Sequence, residues 1–345
     1  RATFSQEAVR EFQVLTNSYS AEFGKASGGV VNIVTKSGGN DLSGNAFFNF
    51  RDDALNAKEH FEEFDPAGQP LDRGKAPYSQ NQFGGTLGGP LKKDKTFFFL
   101  SFERLDVAAN NFVTIDDKNP VTVSGRPLGT PADILRQAGF PVETGNVPYA
   151  VESNQLLANI DHQISPDHSL ALRFNWADER NENIEPFGGL VARSRGAVLD
   201  STDLMGALSY SAVISSRFVN ELRLQVASRD QIVRPLDPTC DGPCDRADEG
   251  GPTIEVTGVG SAGRHQSLPQ PRKNVRYQLV ETLSYFKGSH QVKAGVDFNY
   301  IDHQVQELPL NFGGRYTFAS LPVVPGVTDT PLSSIQALAL GLPAA

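Results

Sequence analysis

Apolar and polar residues alternate with a period of two along much of the chain, the pattern of strands with two unlike faces. Leu170, Leu172, Phe174 and Trp176 stand against Ala171, Arg173 and Asn175. Val292, Ala294, Val296, Phe298 and Tyr300 stand against Gln291, Lys293, Gly295, Asp297 and Asn299. Leu222, Leu224 and Val226 oppose Glu221, Arg223 and Gln225, and Leu156, Ala158 and Ile160 oppose Gln155, Asn159 and Asp161. The pattern predicts strands over 28–36, 42–51, 79–89, 95–107, 151–163, 168–179, 201–214, 217–230, 274–287 and 289–302, a shorter one over 312–319, and a short helix over 332–342. In 274–287, Glu281 shares a face with Val275, Tyr277, Leu279, Leu283 and Tyr285. A carboxylate facing lipid is costly, so either a bulge shifts the register there or Glu281 lies near an interface.

Alternation alone also fits a soluble sandwich. Length and connections separate the two. The predicted strands run roughly 9 to 14 residues, against about 5 to 6 for globular strands and about 9 to 11 for tilted membrane strands. Tight turns at 89–94, 165–167, 215–216 and 287–289 alternate with long polar connections at 52–78, 108–150, 180–199 and 231–273. Outer-membrane barrels have short periplasmic turns and long extracellular loops. The fold class this predicts is all-β: a partial, open antiparallel transmembrane barrel of about nine wall strands.

Composition agrees. Of 345 residues, 39% are hydrophobic and 21% charged, with 32 Gly, 22 Phe and one Met. No apolar run approaches the roughly 18 to 20 residues of a membrane helix. A barrel's average hydropathy looks soluble because its two faces cancel. The net charge of −9 argues against a nucleic-acid partner, which calls for a basic face. The start at Arg1 and the end at Ala345 carry no initiator Met, leader or closing feature, so the chain reads as an internal piece of a longer protein.

One stretch is sharper than periodicity. Residues 9–15 read VREFQVL, followed by Glu22-Phe23-Gly24 and by Gly28-Gly29-Val30-Val31-Asn32-Ile33-Val34-Thr35-Lys36. This resembles the end of the plug domain of TonB-dependent outer-membrane receptors, with Val14, Gly24, Gly28, Gly29, Asn32, Thr35 and Lys36 on the motif. Phe23 replaces the usual Tyr and Gln13 the usual Glu. The segments after residue 50 are similar to the Oar-like branch of that family: Arg51-Asp52-Asp53-Ala54-Leu55-Asn56-Ala57, then Asn81, Gln82, Gly84, Gly85, Gly88, Gly89 and Pro90 in a wall strand, then Lys95-Thr96-Phe97-Phe98-Phe99. The motifs cover about 1–105, and beyond them the likeness is one of pattern.

The resemblance implies that 1–38 are the C-terminal part of a plug domain. Residues 39–345 are then the first part of the barrel with its extracellular loops. It implies a transporter of the bacterial outer membrane, not an enzyme, with no cofactor. Its partners are outer-membrane lipid, an extracellular ligand, and the TonB complex engaged through a region upstream of residue 1. Gly28 and Gly29 are expected to allow close backbone approach where plug meets wall. Val30, Val31, Ile33 and Val34 are expected to be covered on both faces. The glycines of 84–89 would leave room for the plug or let the sheet curve. Phe98, Leu100 and Phe102 are expected on the lipid side, with Phe97 and Phe99 near the plug or rim. The rival readings are a passive porin- or adhesin-type barrel, which needs no plug-like stretch, and a soluble secreted carbohydrate-binding β-protein.

Other chemistry is thin. Cys240 and Cys244 lie in one long loop, where an oxidising compartment favours a small disulfide, and two cysteines are too few ligands for a metal. Asp237, Asp241, Asp245, Asp248 and Glu249 lack the EF-hand spacing and read as a solvated loop. The six histidines fall in no zinc motif, and no phosphate-binding glycine loop is present.

Overall fold

The computed structural model describes residues 5–16, 28–63, 70, 73–240, 244–246, 249–305, 314–323, 326 and 329–344. Its strands are β1 (Val9–Leu15), β2 (Val30–Thr35), β3 (Ser43–Asp52), β4 (Tyr78–Lys92), β5 (Thr96–Val113), β6 (Val121–Val123), β7 (Arg126–Gly129), β8 (Gly145–Ser165), β9 (His168–Glu185), β10 (Ala197–Ser215), β11 (Phe218–Pro235), β12 (Thr253–Val256), β13 (Gly260–Gly263), β14 (Gln270–Lys287), β15 (His290–Val305) and β16 (Arg315–Phe318). The helices are α1 (His60–Glu63), α2 (Pro131–Gln137) and α3 (Ser334–Ala339).

Nine strands form one sheet in the order β15-β14-β11-β10-β9-β8-β5-β4-β3, every pair antiparallel. Each strand therefore pairs with the next wall strand in sequence. All the tight turns fall at one end of the sheet and all the long connections at the other. The sheet is not closed among the described residues, and β3 and β15 are its edges.

Register fixes the two faces. One cross-strand row runs through Phe98, Ile160, Leu172, Leu208, Leu224, Leu279 and Phe298. The next row on the opposite face runs through Gly88, Phe99, Asn159, Arg173, Ala207, Gln225, Gln278 and Asn299. The apolar set is exposed, with Phe174 at 43% and Phe298 at 59%, and is not packed beneath a second sheet. Residues 5–8 and 35–38 lie against the polar face, which is therefore the lumen side. Glu281 stays on the outer face with no register shift in either pairing of β14, and Asn220 of β11 donates to its carboxylate. The bulge alternative for Glu281 is excluded.

Strand lengths differ from expectation. Apart from β3, the wall strands run from 15 residues in β4 to 21 in β8. The extra residues lie mostly at the loop end. There the outer face carries charge, so the alternation fades while the ladder continues. Arg104 pairs with Asp106 at 2.6 Å, Arg180 with Asp200 at 3.1 Å, and Arg234 with Asp200 as well. Pro90, expected in a tight turn, instead pairs with Phe97 inside β4, next to a register shift that absorbs its missing N–H. The turn itself is Lys93-Asp94-Lys95, with Asp94 at φ 57°.

The larger correction concerns the long connections, which were expected to be polar. They contain the main hydrophobic core. Val113, Ile115, Ile134, Leu135, Phe140, Phe187, Ile254, Val256, Phe318, Ile335 and Leu338 pack in one buried cluster drawn from four segments. α2 starts on a capping box, Thr130 with Asp133. α3 starts on another, Ser333 with Gln336, inside the expected 332–342. β16 falls within the expected 312–319, but it pairs in parallel with β12 in a small sheet β13-β12-β16 and takes no part in the wall.

Candidate functional site

The seat for the plug-like segment begins with sequence parity. On β5 and β8 the odd positions face the lumen, which aims Phe99, Glu103, Leu157 and Asn159 at residues 5–38. Ala8, Phe99 and Leu157 form a small buried cluster, so Phe99 meets the plug-like segment as expected. Ser5 Oγ donates to the Glu103 carboxylate, whose other oxygen accepts from Gln82 Nε2 at 2.7 Å. Asn45 Nδ2 donates to Glu7 at 2.7 Å. Asn159, only 4% exposed, donates to the Lys36 carbonyl at 3.1 Å and to Thr35 Oγ1 at 3.3 Å, while its own oxygen accepts from Arg173 Nε at 3.3 Å. Lys36 N–H donates to the Ala8 carbonyl at 2.8 Å, which ties the two ends of the segment together.

The motif residues divide. Thr35, Lys36, Gln82 and Gly88 are brought together at the seat. A Cβ on Gly88 would stand 3.4 Å from Gly38 Cα and 3.2 Å from the Phe99 ring, so glycine leaves room for the chain entering the wall. At Gly84 and Gly85 a Cβ would run into the carbonyls of Phe102 and Asn45 on the flanking strands, and Gly89 lies against Leu42. Asn81 points to the outer face, in register with Asp106. Gly28 has open space around it, and Gly29 approaches the Leu15 carbonyl of its own hairpin. Neither glycine touches the wall, contrary to expectation, because β1 and β2 pair with each other. Nor is β2 covered on both faces: Val31 is 60% exposed, and among its residues only Thr35 is buried. Val14 and Asn32 are exposed on the same ribbon. Gly24 lies outside the described residues.

At the other end, the folded long connections and the segment from β16 to α3, together the cap, hold a charged cluster. Arg195 contacts Glu255 at 3.3 Å, and Glu255 also takes Arg315 at 2.7 Å. Burial, joined by the nearby Arg315, pulls the Arg195 guanidinium below its ordinary value against Glu255 and Glu185. His265 is likewise pushed down by burial and then by Arg195, opposed by Glu185. Cys240 and Cys244 are joined by a disulfide, with Cα atoms 5.4 Å apart. Asp237 is buried and accepts the N–H groups of Thr239 and Gly251, each at 3.0 Å, and Asp245 pairs with Arg234. Asp237 is thus structural, whereas Asp245 is exposed as a solvated loop requires; Asp241 and Asp248 lie outside the described residues. Among the described residues no group of three or more His, Cys, Asp or Glu is arranged to hold a metal.

Glu103, Asn159, Ser5 and Ala8 went unmarked in the sequence. Alternation put Glu103 and Asn159 on the lumen face, but no motif links them to residues 5–36.

A wall of long antiparallel strands, with an exposed apolar outer face, a polar inner face, short turns at one end and folded loops at the other, defines an outer-membrane β-barrel. The chain belongs to that family: residues 34–120 and 136–345 match the outer membrane beta barrel domain. Its place is the bacterial outer membrane. Among known proteins it is similar to the TonB-dependent transporter Oar of Myxococcus xanthus, 29% identical over 182 residues that make up 50% of this chain and 16% of that protein. Its fold matches the outer membrane transporter YddB from Escherichia coli, with a TM-score of 0.56 and 11% identity over 86% of this chain and 35% of that one. It also matches a mutant of the ferric enterobactin receptor PfeA from Pseudomonas aeruginosa, with a TM-score of 0.50 and 12% identity over 95% and 40% of the two chains. The chain thus spans well under half the length of these relatives.

Proposed function

We propose that the chain is part of a TonB-dependent outer-membrane transporter. Residues 1–38 are the end of its plug and 39–345 the first part of its barrel. A ligand binds from the extracellular side, and TonB-coupled energy shifts the plug to let it pass, a ligand-biased change between closed and open states. The observation that carries the reading is the polar tethering of Ser5, Glu7, Thr35 and Lys36 to the lumen face through Glu103, Asn45 and Asn159. A passive barrel has no use for such a segment fastened to its lumen face. The similarity to Oar supports it independently.

The test is conductance of the full-length protein in planar bilayers. The intact protein is expected to be closed. A version lacking everything through residue 38 is expected to show steady conductance. Equal, open conductance of the two would sink the plug and favour a passive porin.

A further inference from the structure

Beside the seat of the plug-like segment, the lumen face of β3 and β4 carries a second feature, which shares Ser5, Gln82 and Glu103 with the seat. Asn49 and Arg51 on β3 stand in register with Gln82 and Gln80 on β4, and Gln155 of β8 follows from the row of Glu103. With Gln6 they line one cleft of about 920 Å³ between wall and plug-like segment. That is within the size range of sites that bury a small ligand. Arg51 also lines an adjoining polar cleft whose other charged lining is Asp53, Glu59, Glu62 and Lys75, so it stands where the two clefts meet. Among the described residues, Arg51, Asn49 and Gln155 have no side-chain hydrogen-bond or ion-pair partner. The cleft's one carboxylate, Glu103, is already engaged by Ser5 and Gln82. Of the cleft's four wall amides, Gln82 is engaged with Glu103 and Gln80 accepts from the Tyr78 hydroxyl, so the open groups are the amides of Asn49 and Gln155 and the Arg51 cation.

We infer that this face binds an extended peptide that presents a carboxylate to Arg51. The warrant is chemistry and spacing together. A side-chain amide can donate and accept at once, which matches a peptide group. Residues two apart on a strand repeat at about 6.6 Å, the repeat of an extended chain lying alongside. A guanidinium takes a carboxylate through two parallel hydrogen bonds, which sets the peptide's register. The inference rests on the transporter reading and names the class of ligand for it.

The test uses the full-length protein in detergent, with fluorescein-labelled (Ser-Glu)4 and (Ser-Gln)4 peptides followed by anisotropy at low salt. The glutamate peptide is expected to bind at least tenfold tighter. Arg51→Gln should bring the two peptides within about twofold, Arg51→Lys should keep part of the difference, and Gln155→Ala should weaken both alike. Arg223→Gln, a lumen cation outside the cleft, should leave discrimination unchanged. Heat-modifiable migration on gels verifies the fold of each variant. Equal binding of the two peptides, wild-type discrimination by folded Arg51→Gln, or binding of an oligogalacturonate with no peptide binding would each overturn the inference. No TonB is present in this assay. Peptide binding by a constitutively open barrel therefore removes the transporter reading alone, and a gated barrel that binds neither peptide removes this one alone.

Discussion

The wall and the cap bury opposite things. In the wall most large apolar side chains face outward, Phe99 and Leu157 beneath the plug-like segment excepted, and Val296 and Phe298 are among the most exposed of them. In the cap they face inward, and Leu135 and Ala132 have no exposure at all. The wall is held by ladders between neighbouring strands and by lipid, which supplies the apolar surroundings a soluble sheet finds in a second layer. The cap stands in water and is held by its own core, as a small soluble domain is. One chain is thus folded for two solvents, and the same substitution has opposite consequences in the two regions.

The largest expected effect is in the cap. Leu135→Ala removes a fully buried side chain from the cluster and should destabilise the cap by about 2–5 kcal/mol. Hydrogen exchange and proteolysis in 114–144 and 236–269 should rise while heat-modifiable migration of the barrel stays as it is. Loss of both together would mean that cap and wall fold as one unit. In the wall, the comparison is between faces. Phe174→Arg places a charge in the outer apolar row and should cost about 2–4 kcal/mol near the bilayer midplane. Gln225→Arg, on the lumen face, should cost well under half of that in the same lipid unfolding titration. Equal costs would erase the assignment of faces.

The wall was legible in the sequence because its rule is local. Leu172, Arg173, Phe174 and Asn175 alternate between two environments within four residues, and nothing distant is needed to read them. Legibility stopped where the outer face turned from apolar to charged, at Arg104, Arg180 and Arg234, since strands polar on both faces do not alternate. The cap was not legible for the opposite reason. Its core takes Val113, Phe187 and Ile254 from three connections, each too sparsely apolar to show a face by itself, and adds Leu338 from a helix that was legible but whose partners were not. The plug seat lies between. The motif flagged Thr35 and Lys36, but their partner Asn159 is 124 residues from Thr35 and carries no mark of its own.

Smaller effects sharpen the contrast at the seat and in the cap loops. Asn159→Ala leaves Arg173 and the Lys36 carbonyl without that partner and should cost about 1–3 kcal/mol. It should show as faster exchange at residues 35–38, with the cap unchanged. Replacing Cys240 and Cys244 by Ser opens a loop enclosing only three residues, so the loss should be about 1–2 kcal/mol and confined to the cap. Collapse of the barrel on reduction would contradict this.

The smallest expected effect is a pH dependence in the cap. His265 sits in the cap, where burial first and Arg195 second hold its imidazole below the ordinary 6.5, with Glu185 opposing. Ser267 N–H donates to His265 Nδ1 at 3.3 Å, a bond that requires this nitrogen to be unprotonated. The folded cap therefore binds the proton less readily than the unfolded chain. Stability from the neutral imidazole is fully present above about pH 6.5. It falls as the unfolded chain takes up a proton below that value, until the pH reaches the depressed folded pKa, where the loss is complete. Exchange in the cap, corrected for the intrinsic pH trend, should thus quicken between pH 7.5 and 5.5. His265→Asn offers an oxygen near the place of Nδ1 without a proton to gain, and it should flatten the cap's response. An undiminished response in that variant would assign the titration to another group.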